Sequence, residues 1–205
     1  MIHNKQYNGM NIKKLAMTSF ALLLCMGAVA QVKLPGKYVN DLAKDYDEFE
    51  KVTKFYVRGG GLLSIEVKDG KPTLYIDATC LTYETPVDLE KVIFLINEET
   101  IDIDYPNDDI QYYEKSVNQT RVSTSYGIGR SGSDINFNRV DRNACIYELK
   151  AEASKYQDII DKVLASKKYQ MRWKGRNQSI DYKGNKQEVE RLKKLMKLYD
   201  ELCEK

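Results

Sequence analysis

The chain has 205 residues and nearly balanced charge, 32 Lys and Arg against 30 Asp and Glu, so it carries no net field that would draw it to nucleic acid. Its one histidine, His3, lies in a leader-like segment, which excludes Ser-His-Asp and Cys-His catalysis, His-ligated zinc and a histidine pH switch from the rest of the chain. Hydrophobic residues make up 42% of the sequence and tyrosines number 15, a composition suited to a folded core.

Met10 is followed by Lys13 and Lys14, then by an apolar run over residues 15–28 that ends on the small residues Ala28 and Ala30. That is the order of a secretory signal peptide, with the start at Met10 and cleavage leaving Gln31 first. The run is shorter than the roughly 20 residues that a membrane-spanning helix needs, and no later stretch approaches that length. An alternative places a lipid anchor on Cys25, although Leu24 stands where a lipoprotein signal has a small residue. Removing residues 1–30 takes away Lys5, Lys13 and Lys14 and no acid, which leaves 29 basic and 30 acidic residues. The expected mature chain, residues 31–205, is a single soluble domain in the periplasm or outside the cell.

Tyr38, Val39, Leu42 and Tyr46 fall at helical spacing, which predicts a short helix before an acidic loop over residues 45–50. Gly59, Gly60 and Gly61 mark a bend between strands. Leu63, Ile65 and Val67 alternate with Ser64, Glu66 and Lys68; Asp69-Gly70 supplies the left-handed pair of a tight hairpin, and Leu74, Ile76 and Ala78 resume the alternation. The continuous apolar run 92–96 predicts a strand covered on both faces, turned by Asn97-Glu98 into Ile101, Ile103 and Tyr105. Residues 112–117 and 121–126 are expected to pair around Asn118-Gln119, with Ile135, Phe137 and Ile146 in later strands. After Leu149 the period changes: Tyr156, Ile159, Ile160, Val163 and Leu164 predict an amphipathic helix over 151–166. A strand pair follows, Tyr169-Met171-Trp173 and Ile180-Tyr182, turning near residues 175–178. The last helix opens on Asn185 as cap with Glu188 in capping-box position, and Val189, Leu192, Leu195, Met196, Tyr199 and Leu202 form its stripe. The expected class is α+β, a mostly antiparallel sheet or open β-sandwich with two helices in the C-terminal region.

The segment opening with Asp47-x-Phe49, the strand Thr73-Leu-Tyr-Ile-Asp77, the strand Val92-Ile-Phe-Leu-Ile-Asn97 and the closing Met171-Arg-Trp-Lys-Gly175 strand, followed by an Asn-Lys-x-x-Val helix, resemble secreted proteins of gut bacteria of unassigned activity. The resemblance covers most of the mature chain and implies a small antiparallel β fold with a C-terminal helix. It brings no catalytic residues with it.

Cys80, Cys145 and Cys203 remain after cleavage, too widely spaced for a C-x-x-C site. A Cys80–Cys145 disulfide would close a long loop and contribute about 4 kcal/mol; the alternative is buried thiols acting as small apolar residues. The G-x-G-x-x-G string over residues 127–132 lacks the following helix whose amides would hold a phosphate, so it reads as a loop. Glu98, Glu99, Asp102, Asp104, Asp108 and Asp109 crowd one region without the order of a calcium loop, and no cofactor is expected. Between 167 and 183, Lys167, Lys168, Arg172, Lys174, Arg176 and Lys183 meet a single acid, Asp181, with Tyr169, Trp173 and Tyr182 interleaved. With Gln170, Arg172 and Lys174 on an outer face, Arg172, Lys174 and Arg176 are the candidate contacts for an anionic glycan or an envelope protein; the plainer reading is an edge hairpin guarded by charge. No residue set speaks for catalysis. The sequence therefore reads as an exported, non-catalytic binding or assembly module of the cell envelope. The alternative is a small carboxylate-dependent hydrolase acting on polysaccharide.

Overall fold

Alternation at a period of two builds the strands of this protein, and the two segments with period 3.6 build its helices. The computed structural model of the chain describes residues 32–126 and 133–204, with side chains for all of these except 118–126 and 133–140. The leader, Cys25 and the glycine string at 127–132 lie outside the described residues.

In chain order the strands are β1 (Leu42–Asp47), β2 (Val52–Val57), β3 (Leu63–Lys68), β4 (Lys71–Tyr83), β5 (Leu89–Ile96), β6 (Glu99–Asp104), β7 (Ile110–Tyr126), β8 (Ser133–Glu152), β9 (Tyr169–Gly175) and β10 (Ser179–Gly184). Helix α1 (Gln157–Ala165) separates β8 from β9, and α2 (Lys186–Cys203) closes the chain. The strands form two antiparallel sheets, one in the order β1-β2-β3-β4-β8-β7 and one in the order β10-β9-β5-β6. Two hairpins turn where expected, on left-handed pairs: Asp69 (φ 51°) with Gly70 (φ 77°), and Asn97 (φ 49°) with Glu98 (φ 70°). Gly59 and Gly60 (φ 86° and 98°) make the bend from β2 to β3, a conformation that costs other residues steric strain.

Residues 38–46 are not a helix. A short 3-10 turn, Gly36–Tyr38, leads into β1, which pairs with β2 from Leu42↔Val57 to Asp47↔Val52. Leu42 and Tyr46 are four apart, a spacing that a strand face and a helix face share, and the neighbouring strand decides between them. Nor does the chain turn at Asn118-Gln119: β7 runs through both residues, in register with Asp141 and Val140 of β8. The result is one long hairpin. Strand β4 covers β8 only from Tyr75↔Glu152 to Tyr83↔Ala144, so beyond Asn143 the hairpin continues as a two-stranded arm. Strand β5 is covered on one face rather than two, with Val92, Phe94 and Ile96 buried and Leu95 37% exposed.

Both sheets and both helices contribute to one core that includes Phe55, Ile65, Ile76, Phe94, Leu149, Ile160, Trp173 and Leu192. Helix α2 starts as its sequence dictates: the Asn185 side chain accepts a hydrogen bond from the Glu188 N–H at 3.0 Å. The Glu188 carboxylate does not complete the capping box. It turns inward and accepts from the Tyr169 hydroxyl at 2.5 Å. Val189, Leu192, Leu195, Leu198 and Leu202 are buried, with Met196 and Tyr199 at the margin. The start of the fold is tied to this helix, as the Tyr38 hydroxyl donates to Glu201 at 2.8 Å and Lys194 to Asp41 at 2.5 Å. Among the described residues no helix is long and apolar enough to cross a membrane.

Candidate functional site

The face of the six-stranded sheet turned away from its core residues is built by strict alternation. Cross-strand register places Asp45, Lys54, Glu66 and Thr73 in one row and Tyr56, Ser64, Tyr75 and Glu152 in the next, with Asp77 opposite Lys150. The bonds run diagonally between rows. Lys54 Nζ lies 2.7 Å from Asp77 Oδ2, and the Ser64 hydroxyl donates to the same oxygen at 2.7 Å. Lys150 Nζ reaches Glu66 at 2.7 Å and sits 5.2 Å from the centre of the Tyr75 ring. The Tyr56 hydroxyl donates to Asp45 at 2.8 Å, and that carboxylate, aided by burial, raises the Tyr56 phenol above its ordinary value. Burial opposes charge on Lys150, yet the Glu66 carboxylate outweighs it and holds the ammonium above its ordinary range.

Where this face meets the four-stranded sheet there is a cleft of about 310 Å³. One side is polar: Asp45, Lys54, Tyr56, Ser64 and Asp77. The bend at Gly60 and Gly61 forms its rim, and Tyr169, Met171 and Tyr182 from β9 and β10 form its far wall. The two wall tyrosines are fixed from behind. Burial, and then the Glu188 carboxylate, push the phenols of Tyr169 and Tyr182 far above their ordinary value, so both remain neutral hydroxyls at physiological pH. A second depression adjoins the first, sharing Asp45 and Lys54 and adding Glu66, Tyr75 and Lys150. Four segments distant in sequence thus converge on one groove. Only the alternation of polar residues opposite an apolar face, as in Lys54-Phe55-Tyr56 or Ser64-Ile65-Glu66, signals it in the sequence.

The basic strand behaves as a guarded surface. Tyr169, Met171 and Trp173 are buried and Gln170, Arg172 and Lys174 face outward. Arg172 makes two hydrogen bonds to Asp181, at 2.6 and 2.8 Å, and this partner holds the Asp181 carboxyl below its ordinary value. Arg176, in the turn, lies 3.5 Å from Glu90, and Lys174 stands across β9 and β5 from Lys91. The three candidates therefore lie on the exposed face of β9 and in the turn after it, Arg172 and Arg176 each beside a carboxylate. The crowded acids are likewise dispersed: Glu99 bonds Lys162, Asp102 bonds Lys91 and Asp109 bonds Lys155.

Cys80 and Cys145 sit on the paired strands β4 and β8, two register steps apart, and both are free buried thiols; Cys203 is free and exposed. Burial alone pushes the Cys80 thiol up to about 11, which makes it inert as a nucleophile. Known protein families, curated proteins and solved structures yield no match to this chain.

Proposed function

We propose that the protein is an exported, non-catalytic binding module of the cell envelope, and that the cleft between Tyr56 and Tyr182 holds a polar ligand, a segment of glycan. The composition of the cleft carries this reading. Tyr56 and Tyr182 bring aromatic rings to the cleft beside the polar groups of Lys54, Ser64 and Asp77, the mixture by which proteins hold sugars, while each carboxylate is already engaged. Export rests on the leader pattern of residues 10–30.

Asp45 and Asp77 share the cleft, which keeps a carboxylate-dependent hydrolase as the second reading. Such an enzyme needs one carboxyl group able to hand over a proton, whereas Asp45 accepts from a phenol and Asp77 from an ammonium and a hydroxyl. Glycan-array screening of the purified protein tests both readings. Binding without turnover is expected, weakened about tenfold by Tyr56→Ala in a variant whose circular dichroism shows it folded. Hydrolysis of the bound glycan, lost in Asp77→Asn, would replace the binding reading with the enzymatic one. Mass spectrometry of the native N-terminus checks export, with Gln31 first as the expected result and a lipid-modified Cys25 or an intact leader as the contrary ones.

A further inference from the structure

Arg172 and Arg176 each face a carboxylate, but the other part of the basic stretch does not. Lys167 and Lys168, in the link between α1 and β9, line an open depression together with Lys186, Asn97, Ser166 and Asn185. No carboxylate lines it. Among the described residues neither Lys167 nor Lys168 makes a hydrogen bond or an ion pair. Glu190, one turn along α2, feels the charge of Lys186 but hydrogen-bonds Lys193 at 2.8 Å.

Three joints of the fold meet here, the β5–β6 turn, the α1–β9 link and the β10–α2 link, so the lysines that line the depression come from separate segments brought together by the topology. The obvious internal acceptor is already taken, because the Val163 carbonyl at the end of α1 receives both the N–H of Ser166, at 3.1 Å, and its hydroxyl, at 2.8 Å. What the depression lacks is a compact acceptor with several oxygens that lysine ammonium groups and an Asn97 side-chain amide can share.

We propose that this depression binds an oxyanion group, a carboxylate, sulfate or phosphate, and that an anionic ligand is held here and not along the Arg172 strand. The site is separate from the tyrosine cleft and stands whether or not that cleft binds glycan. The test is a titration of isotope-labelled protein at low ionic strength with inorganic phosphate, inorganic sulfate and an oligogalacturonate, followed by amide NMR. Saturable shifts are expected at Asn97, Lys167, Lys168 and Lys186. The triple variant Lys167→Gln, Lys168→Gln, Lys186→Gln should weaken binding at least roughly tenfold, and added salt should weaken it too, as screened charge requires. Arg172→Gln, folded and unconnected to the depression, should bind like the parent. Tighter binding of the oligogalacturonate than of phosphate assigns the oxyanion to an acidic glycan, and equal binding assigns it to a free anion. Shifts that do not saturate, shifts centred on Arg172, or a triple variant that binds phosphate as tightly as the parent would each overturn the proposal.

Discussion

The outward faces of the two sheets use the same residue types and make different surfaces of them. On the six-stranded sheet, Lys54 and Asp77 keep only 33% and 12% of their side-chain exposure, and Asp77 takes partners from two other strands, Lys54 of β2 and Ser64 of β3. On the four-stranded sheet, Arg172 and Asp181 keep 53% and 39% and form a pair of their own. Strand position separates the two acids: Asp77 is on β4, inside its sheet, where neighbouring side chains keep water off it, whereas Asp181 is on β10, at an edge, and reaches solvent. A buried network loses bonds at several residues when one member is removed, whereas an exposed pair exchanges one set of contacts for water.

The heaviest blow to this comparison is one that removes the narrow sheet altogether. A Cβ added at Gly175 would lie 1.8 Å from the Val87 carbonyl oxygen, so Gly175→Ala must separate β9 from the segment before β5 and is expected to cost about 3 kcal/mol or more, read by urea denaturation. Tyr169→Phe comes next. It leaves the buried Glu188 carboxylate short of a donor and should cost about 1–3 kcal/mol. The same pair sets an alkaline limit: the Tyr169 phenol is raised in the fold, so its contribution is fully present below pH 10, its ordinary value, and is lost as pH climbs past it. Circular dichroism against pH should show an alkaline loss of structure that Tyr169→Phe makes shallower.

Asp77→Ala tests the wide sheet directly. It strips Lys54 and Ser64 of a shared acceptor and is expected to cost about 1–2 kcal/mol. Asp181→Ala, its counterpart on the narrow sheet, should lose clearly less stability than Asp77→Ala in the same measurement; equal losses at the two sites would refute the distinction drawn between the two faces. The smallest expected effect is at acid pH. The Asp41 and Asp181 carboxyls are held below their ordinary value of 3.8, so they stabilise the fold above that pH and cease to do so as pH falls through their lowered values. Because both are near the surface, molar salt should shrink this acid-side change, and acid titrations at two ionic strengths would reveal it.

Local chemistry made much of the fold legible. Asp69-Gly70 and Asn97-Glu98 announced hairpins because few residues accept left-handed backbone, and Asn185 announced α2 because a free amide needs an acceptor. What escaped was decided at a distance. Leu42 and Tyr46 are strand residues because β2 lies beside them, and Asn118-Gln119 fails to turn because β8 pairs straight past it. The cleft escaped for the same reason: β1, β2, β4 and β9 each bring ordinary residues, and only the pairing of β4 with β3 and the docking of β9 make Lys54, Asp77 and Tyr169 neighbours. The Arg172 strand was conspicuous in sequence since its charges recur at every second residue, yet the carboxylates that answer them, Asp181 and Glu90, come from across a turn and from another strand.

The strap between Asp41 and Lys194 spans 153 positions of the chain. A polypeptide that emerges from a ribosome or a translocation channel with its N-terminus leading therefore exposes β1 and β2, with Phe55 and Val57 uncovered, until α2 has been delivered. Such a chain must be kept from self-association while it waits for α2. Loss of residues 194–202 would accordingly be felt first at β1 and β2.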